Sequence, residues 1–559
     1  MATKKKKKAL APLDGFFHYT EKGGTFGGEI AAGIGMAVLA VCGMFMNMQL
    51  VATLSVSNYA ESSMSQIAMN GEVYAMTWLA SMIVALVGTL LMGLVARRPF
   101  VQVTSLALSC VLVSTVSLNT GLTYYNMLAL CFVANVAYLV IAALPQARKF
   151  ALDALPESVR AALPAAAGLL MAFVAAQLTG LFSVNGGVMP NYGTAANLGT
   201  GTVGLFGITH ISDFSYVTDT YHPQMLLSAV AVVLTVCVYL YACRRQLRPC
   251  SKALLWGTVF FLVACVLACG INWKNFNFAL SFLWGRLWMA GSEDAMQAHL
   301  AAAMGNLAWG KVFTQGFDFS GFTGNGGNLV TLGASTVLTY VFLFIYDADS
   351  TVLACADAAE QETPAEGDLA LPMLANGVAN VVCAIAGASP VAIGKESVVG
   401  SRDHARSGLA SVVAALVFAV SAAVWVVPTI FATVTSYAIS FNMYGHYGYV
   451  MQLLAQTSFS VADAVMMVAG VSMAVRSVTI DVRDVSQAAP FGATVAVTLL
   501  LTNLAAGVAA GCVANVLVAL QAPRRRKGQP KVGLIERAGG VDRLAMAGVS
   551  LVLLALLAL

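Results

Sequence analysis

Gly387-Ala-Ser389-Pro390-Val-Ala-Ile-Gly394-Lys395-Glu396-Ser397-Val-Val-Gly400 places a proline and a glycine four residues apart inside an otherwise apolar stretch. That spacing opposes a continuous helix: Pro390 to Ile393 can lie extended, and a new helix can start from Lys395. A broken segment frees backbone N–H groups and a helix amino terminus, which suit a polar or anionic ligand group. Glu396 would sit in that first turn. The same Lys395 and Glu396 would also serve as a buried pair stabilising a bundle, or as an interfacial charge pair.

Outward from this break, the chain reads as membrane-embedded. It has 559 residues, 59% hydrophobic and 10% charged, with 30 Lys and Arg against 26 Asp and Glu. A mean hydropathy of +0.79 lies far from the soluble range. A formal charge of +4 is too small to argue for nucleic acid or another polyanion. Spanning runs are expected at 30–50, 75–96, 124–144, 159–179, 223–243, 253–270, 332–356, 409–428, 462–475 and 491–520. The last is long enough to be two helices turning near Gly507 to Gly511. Weaker runs at 100–115, 373–388 and 391–401 raise the count to about fourteen, with 545–559 left open as an extra crossing, a surface helix or a re-entrant piece. With the amino terminus in the cytoplasm, Arg97 and Arg98, Arg148 and Lys149, Arg244, Arg245 and Arg248, Arg402 and Arg406, Arg476 and Arg483, and Arg524 to Lys527 all fall inside. The external loops 180–222, 271–330 and 429–461 are long. Lys4 to Lys8 reads as a cytoplasmic anchor, since no signal-peptide pattern follows it.

Two further breaks accompany the first. In Thr336-Val-Leu-Thr-Tyr-Val-Phe-Leu-Phe-Ile-Tyr346-Asp347-Ala-Asp349-Ser350-Thr351, Asp347 lies deep in a greasy helix and shares a face with Thr351, while Asp349 points elsewhere. A carboxylate at that depth costs several kcal/mol unless it meets a cavity or a partner. In Arg97-Arg98-Pro99-Phe100-Val101-Gln102-Val103-Thr104-Ser105, polar and apolar residues alternate after a proline, a short extended signature. Corresponding interruptions in two halves point to a site at an inverted-repeat interface. The 11 cysteines show no metal spacing and read as small buried hydrophobes. The glycine-rich Ser320 to Gly327 lacks a phosphate-loop lysine, and the histidines, among them His210, His222 and His404, are dispersed. No cofactor, metal or catalytic constellation is expected.

Several motifs resemble one family. Glu29-Ile-Ala-Ala-Gly33 with Asn47, Arg98-Pro99-Phe100, Asn119-Thr-Gly121-Leu-Thr-Tyr124, the Tyr346 to Thr351 stretch, Glu396-Ser397 through Arg406-Ser-Gly408-Leu409, and Asp481, Asp484 and Pro490-Phe491 are similar to the nucleobase–ascorbate (xanthine/uracil) permease superfamily, in its guanine/hypoxanthine branch. The resemblance spans residues 29–522 and implies an all-α polytopic fold of fourteen segments in a seven-plus-seven inverted repeat, with short extended pieces in segments 3 and 10. It divides the chain into a basic terminus (1–28), a core in two parts (29–145 and 331–428), a gate in two parts (146–330 and 429–522) and a basic linker with an apolar end (523–559).

The resemblance further implies base-binding carboxylates at Asp347 and Glu396, which would also exchange the coupling proton, and a homodimer through the gate. Phe100 and Tyr346 are the stacking candidates. Gln102, Ser105, Ser389 and Gly394 complete the expected substrate-binding set, and backbone N–H groups near Val103 to Ser105 and Val391 to Gly394 would donate to base carbonyls. Thr351 and Arg406 are expected to modulate the site. Lys395 stands where the family has an uncharged residue, and would neutralise Glu396 or favour an anionic ligand. The expected function is therefore nucleobase transport, most simply a purine with a proton, or sodium in its place, in a multi-pass cell membrane protein. Alternatives are an anion carrier of the sulfate/bicarbonate type on the same architecture, and a non-transporting receptor or scaffold.

Overall fold

In the computed structural model the described residues are 12–51, 71–119, 121–178, 182–184, 208–211, 233, 235–237, 310–322, 328–361, 366–435, 464–475, 480–481, 483–521, 534–537 and 539–558. The expected crossings at 223–243 and 253–270 and most of the long external loops lie outside them.

Two stretches repeat one pattern. The first runs α1 (Phe26–Val51), α2 (Gly71–Leu94), β1 (Gln102–Thr104), α3 (Leu106–Leu118) and α4 (Tyr124–Ala143). After α5 (Pro145–Asp153), α6 (Glu157–Leu178), and the strands β2 (Phe182–Val184) and β3 (Ile208–Ile211), the pattern returns. The second stretch is α7 (Leu329–Ala359), α8 (Glu366–Ala386), β4 (Val391–Ile393), α9 (Ser397–Arg402) and α10 (Gly408–Thr435). A helix at Ala464–Val475, α11, precedes α12 (Val485–Leu501), α13 (Leu504–Gln521), α14 (Leu534–Arg537) and α15 (Val541–Ala558). Among the described residues, seven helices are long and apolar enough to cross a bilayer, and five shorter apolar ones accompany them.

The strands are where the proline and glycine breaks predict them. β1 pairs antiparallel with β4, Gln102 opposite Ile393, Val103 opposite Ala392 and Thr104 opposite Val391. Antiparallel pairing of equivalent pieces is the mark of inversion between the two stretches. It also answers the demand that backbone groups at bilayer depth be satisfied inside the protein. The ladder is extended at both ends: Ser105 N–H donates to the Pro390 carbonyl at 2.9 Å and Gly394 N–H to the Val101 carbonyl at 2.9 Å. Asn380 of α8 completes it, its amide bonding both the N–H and the carbonyl of Val391 at 3.0 and 2.8 Å. Helices α2 and α10, α1 and α10, α4 and α8, and α4 and α7 pack around this crossing, and α6, α12 and α13 form a second group beside it.

The runs 100–115 and 391–401 are each a short strand followed by a helix, of 13 and 6 residues, as expected for segments 3 and 10. The run 491–520 is indeed two helices, but it turns at Thr502, whose φ of 48° is left-handed, rather than at Gly507 to Gly511. Those glycines face Thr498 and Thr494, where a side chain would collide, so their role is close helix contact. The end of the chain forms an 18-residue apolar helix, α15, packed on α13 and α7.

Candidate functional site

Helix α7 carries the first carboxylate. Asp347 is 2% exposed, and both its oxygens are taken. Ser105 Oγ donates to Oδ2 at 2.7 Å, and Lys395 Nζ lies 2.5 Å from Oδ1. Ser105 does double duty, since its hydroxyl also caps α3 by accepting from Leu108 N–H at 3.4 Å. Lys395 Nζ further reaches the Asp347 carbonyl, Ser350 Oγ and Thr351 Oγ1, each at 2.9 Å. Thr351 in turn donates to the Ile393 carbonyl at 2.9 Å. One turn of α7 thus gathers the ends of both extended pieces.

Glu396, the adjacent residue, points the other way. Its Oε2 is buried without a hydrogen-bond partner, as is Thr104 Oγ1 on β1. Gly43 of α1 and Gly394 both lie against the carboxylate so closely that a Cβ on either would strike it. Gly394 would also meet Val103 at 2.6 Å. Close approach rather than an unusual backbone angle favours glycine at both positions.

Asp347, Lys395 and Glu396 border a partly open cavity. Its walls come from α1 (Gly43, Met46), from β1 and the start of α3 (Val103 to Ala107), from Ala392 to Glu396, and from Ala167, Leu170 and Met171 of α6 and Met466 of α11. Most of the wall is apolar, with an ion pair, one free carboxylate and the amino terminus of α3 as its polar features. Methionine suits such a wall because its flexible chain can follow a changing surface.

Among the candidate residues, Ser105, Asp347, Gly394, Lys395 and Glu396 border the cavity, with Thr351 directly behind. The others lie elsewhere. Phe100 is buried in the hydrophobic core. Tyr346 turns away, its hydroxyl donating to the Ala151 carbonyl at 3.0 Å and lying 3.6 Å from Met546 Sδ. Gln102 is fully buried beside Gly88 and Ala379, its backbone N–H bonded to Thr89 Oγ1 at 2.9 Å. Ser389 pairs with Ser109 behind the strands. Arg406 closes a different junction: its guanidinium reaches the Ser401 carbonyl at 2.6 Å, while its N–H donates to Glu29 at 2.9 Å. Sequence reasoning missed Gly43, Met46, Ala167, Met171 and Met466. The available signal was small residues and methionines at helical spacing on segments chosen only for hydropathy. It also missed Arg160, whose guanidinium holds Asp349 through two bonds of 3.1 and 3.2 Å.

No family model matches the chain, and no curated protein is similar to it in sequence. Solved structures are similar in fold. The murine solute carrier 26 family member A9 anion transporter, in its inward-facing state, aligns over 92% of this chain and 73% of its own with 13% identity and a TM-score of 0.50. A structure of SLC26A9 gives 13% identity over 93% of this chain and 70% of its own, TM-score 0.47. The transmembrane domain of a cyanobacterium bicarbonate transporter, BicA, gives 15% identity over 79% and 97%, TM-score 0.38. The chain has the polytopic α-helical, seven-plus-seven inverted-repeat architecture with core and gate domains.

These findings correct the nucleobase permease resemblance. The fold is matched by an anion transporter, and the geometry removes the purine-binding features one by one. Both Asp347 oxygens are occupied by Ser105 and Lys395 rather than open to a base edge. Of the N–H groups expected to face a base, those of Ser105 and Gly394 are taken by the Pro390 and Val101 carbonyls and that of Val391 by Asn380. Phe100 and Tyr346 offer no stacking face to the cavity. The nucleobase partner falls with the resemblance, and so do the proton symport and gate-mediated homodimer inferred with it.

Proposed function

We propose that the protein is a secondary carrier of a small inorganic anion of the sulfate or bicarbonate type, bound in the cavity between core and gate. The observation that carries this reading is the ammonium of Lys395, the one cationic side chain among the described residues of the cavity wall, held against Asp347 so that this carboxylate brings no net charge to the site. The amino terminus of α3 adds backbone N–H groups at Leu106 and Ala107 on the same wall, the usual setting for an anion. The fold neighbour described as an anion transporter agrees with it.

Glu396 then governs admission. Ionised, it repels an anion across a low-dielectric gap; carrying a proton, it donates a hydrogen bond through an oxygen that has no partner in the protein. Uptake is therefore expected to slow as pH rises, and Glu396→Gln, which keeps a donor and loses the charge, is expected to keep uptake while flattening that dependence. A folded Glu396→Gln protein that is inert at every pH would remove this role. The core is assigned to 29–145 and 331–428 and the gate to 146–330 and 429–522, with the amino terminus in the cytoplasm of a cell membrane on the strength of the arginine-rich loops. The deciding experiment is uptake of labelled sulfate and bicarbonate into proteoliposomes, with hypoxanthine as competitor. Uptake of either anion that hypoxanthine leaves unchanged supports the reading, and hypoxanthine uptake without anion flux overturns it.

A further inference from the structure

We propose that the Lys395 ammonium is a tethered cation seated in a cation-binding cradle of α7, so that the carrier holds as part of its own chain a charge that would otherwise have to come from solution. Four oxygens surround Nζ, all from one turn: Asp347 Oδ1 at 2.5 Å, and the Asp347 carbonyl, Ser350 Oγ and Thr351 Oγ1 at 2.9 Å. An ammonium has three protons, so four oxygens exceed its donors. The oxygens are also turned to present lone pairs. Ser350 gives its own proton to the Asp347 carbonyl at 2.6 Å, and Thr351 gives its proton to the Ile393 carbonyl at 2.9 Å. Carboxylate, carbonyl and two hydroxyls, all accepting toward Nζ, form a hard-oxygen set of the kind that takes a small cation. A simple ion pair needs only the carboxylate.

The tether comes from a different element than the cradle. Lys395 follows β4 and reaches back to α7, while its own side chain is 15% exposed toward the cavity. Shortening it to alanine leaves α7 intact and vacates the space of a propylammonium group. Asp347, 2% exposed at bilayer depth, is then an uncompensated charge, a condition that costs several kcal/mol and draws in any cation able to reach it. A lysine that merely staples β4 to α7 predicts otherwise, since a free ion cannot replace a covalent link.

The test uses the purified full chain and the variants Lys395→Ala, Lys395→Met and Asp347→Asn/Lys395→Ala. Thermal unfolding midpoints are measured in choline, sodium, ammonium, methylammonium and n-propylammonium chlorides at equal ionic strength. The parent midpoint should be the same in all five. The Lys395→Ala midpoint should rise saturably with sodium or the small ammonium ions, most with n-propylammonium, which restores the deleted atoms. Lys395→Met, which fills the space, should respond less, and the double variant, which lacks the charge, not at all. Should Lys395→Ala be unobtainable in choline, its folded yield across the same salts decides the question in the same way. A Lys395→Ala protein indifferent to every cation, or a parent that shifts equally, overturns the proposal. Its consequence for transport, loss of uptake in choline and recovery with the same cations, rests on the anion-carrier reading. A cation-dependent midpoint without anion flux in any protein would retire that reading and leave the cradle standing.

Discussion

Asp347 and Glu396 both sit in apolar surroundings, yet their situations are opposite, and single residues decide the difference. Ser105 is the smallest lever: it donates to Asp347 and caps α3 with the same hydroxyl. Ser105→Ala should lower stability by about 1–2 kcal/mol in thermal or denaturant unfolding, since a cap and a bond to a buried charge go together. Gly43→Val should abolish uptake while leaving the protein monodisperse on size exclusion, because the added carbons strike Glu396 and occupy the cavity. The two carboxylates were legible in the sequence because a charge inside a greasy run demands a reason. The opposite headings of Lys395 and Glu396 were not. Neighbours in an irregular turn follow no helical or strand period, so adjacency in sequence suggested one charge pair where the fold makes a pair with Asp347 and leaves Glu396 alone. The aromatic candidates failed for a related reason: Tyr346 precedes Asp347 by one residue and so projects from another face of α7, toward Ala151 and Met546.

At the level of helices and strands, Asp349 on α7 and Arg160 on α6 tie those two helices together. Arg160→Ala leaves a carboxylate 2% exposed without its partner and should destabilise by about 3–5 kcal/mol. Arg160→Met with Asp349→Leu should recover most of that loss, and a double variant as unstable as Arg160→Ala would show that packing rather than charge holds the helices together. Because α6 and α7 both contribute to the cavity wall, the same pair of variants should change transport rate even where stability recovers. Helices with long apolar runs, such as α4 and α7, were readable from hydropathy, while their caps at Thr123 and Asn328 emerged only from the structure. The two strands were readable from Pro99 and Pro390 as breaks, but their pairing was not, since a three-residue strand carries too little pattern to name its partner. Thr502 was missed because a left-handed threonine is uncommon, and the glycines beyond it looked like the better turn.

On the scale of the molecule, the cavity is lined both by the β1–β4 crossing and by α6 and α11, and relative movement of these elements is what the proposed carrier requires for alternating exposure. Met466→Cys, on α11 in the cavity wall, should react with a membrane-impermeant thiol reagent and be protected by sulfate, whereas Cys42, buried one residue from Gly43, should stay silent. Protection by hypoxanthine but not by sulfate would count against the anion reading. The crossing of β1 and β4 also bears on how the protein is made. Val101 N–H donates to Ser397 Oγ, 296 residues later in the chain. At roughly 5–20 residues per second, ribosomes need about 15–60 s to cover that distance. For that interval the first half sits in or near the translocon with unpaired strand groups, and its maturation waits on the second. Expressed as separate polypeptides, each half should be degraded alone and accumulate when both are produced in the same cell.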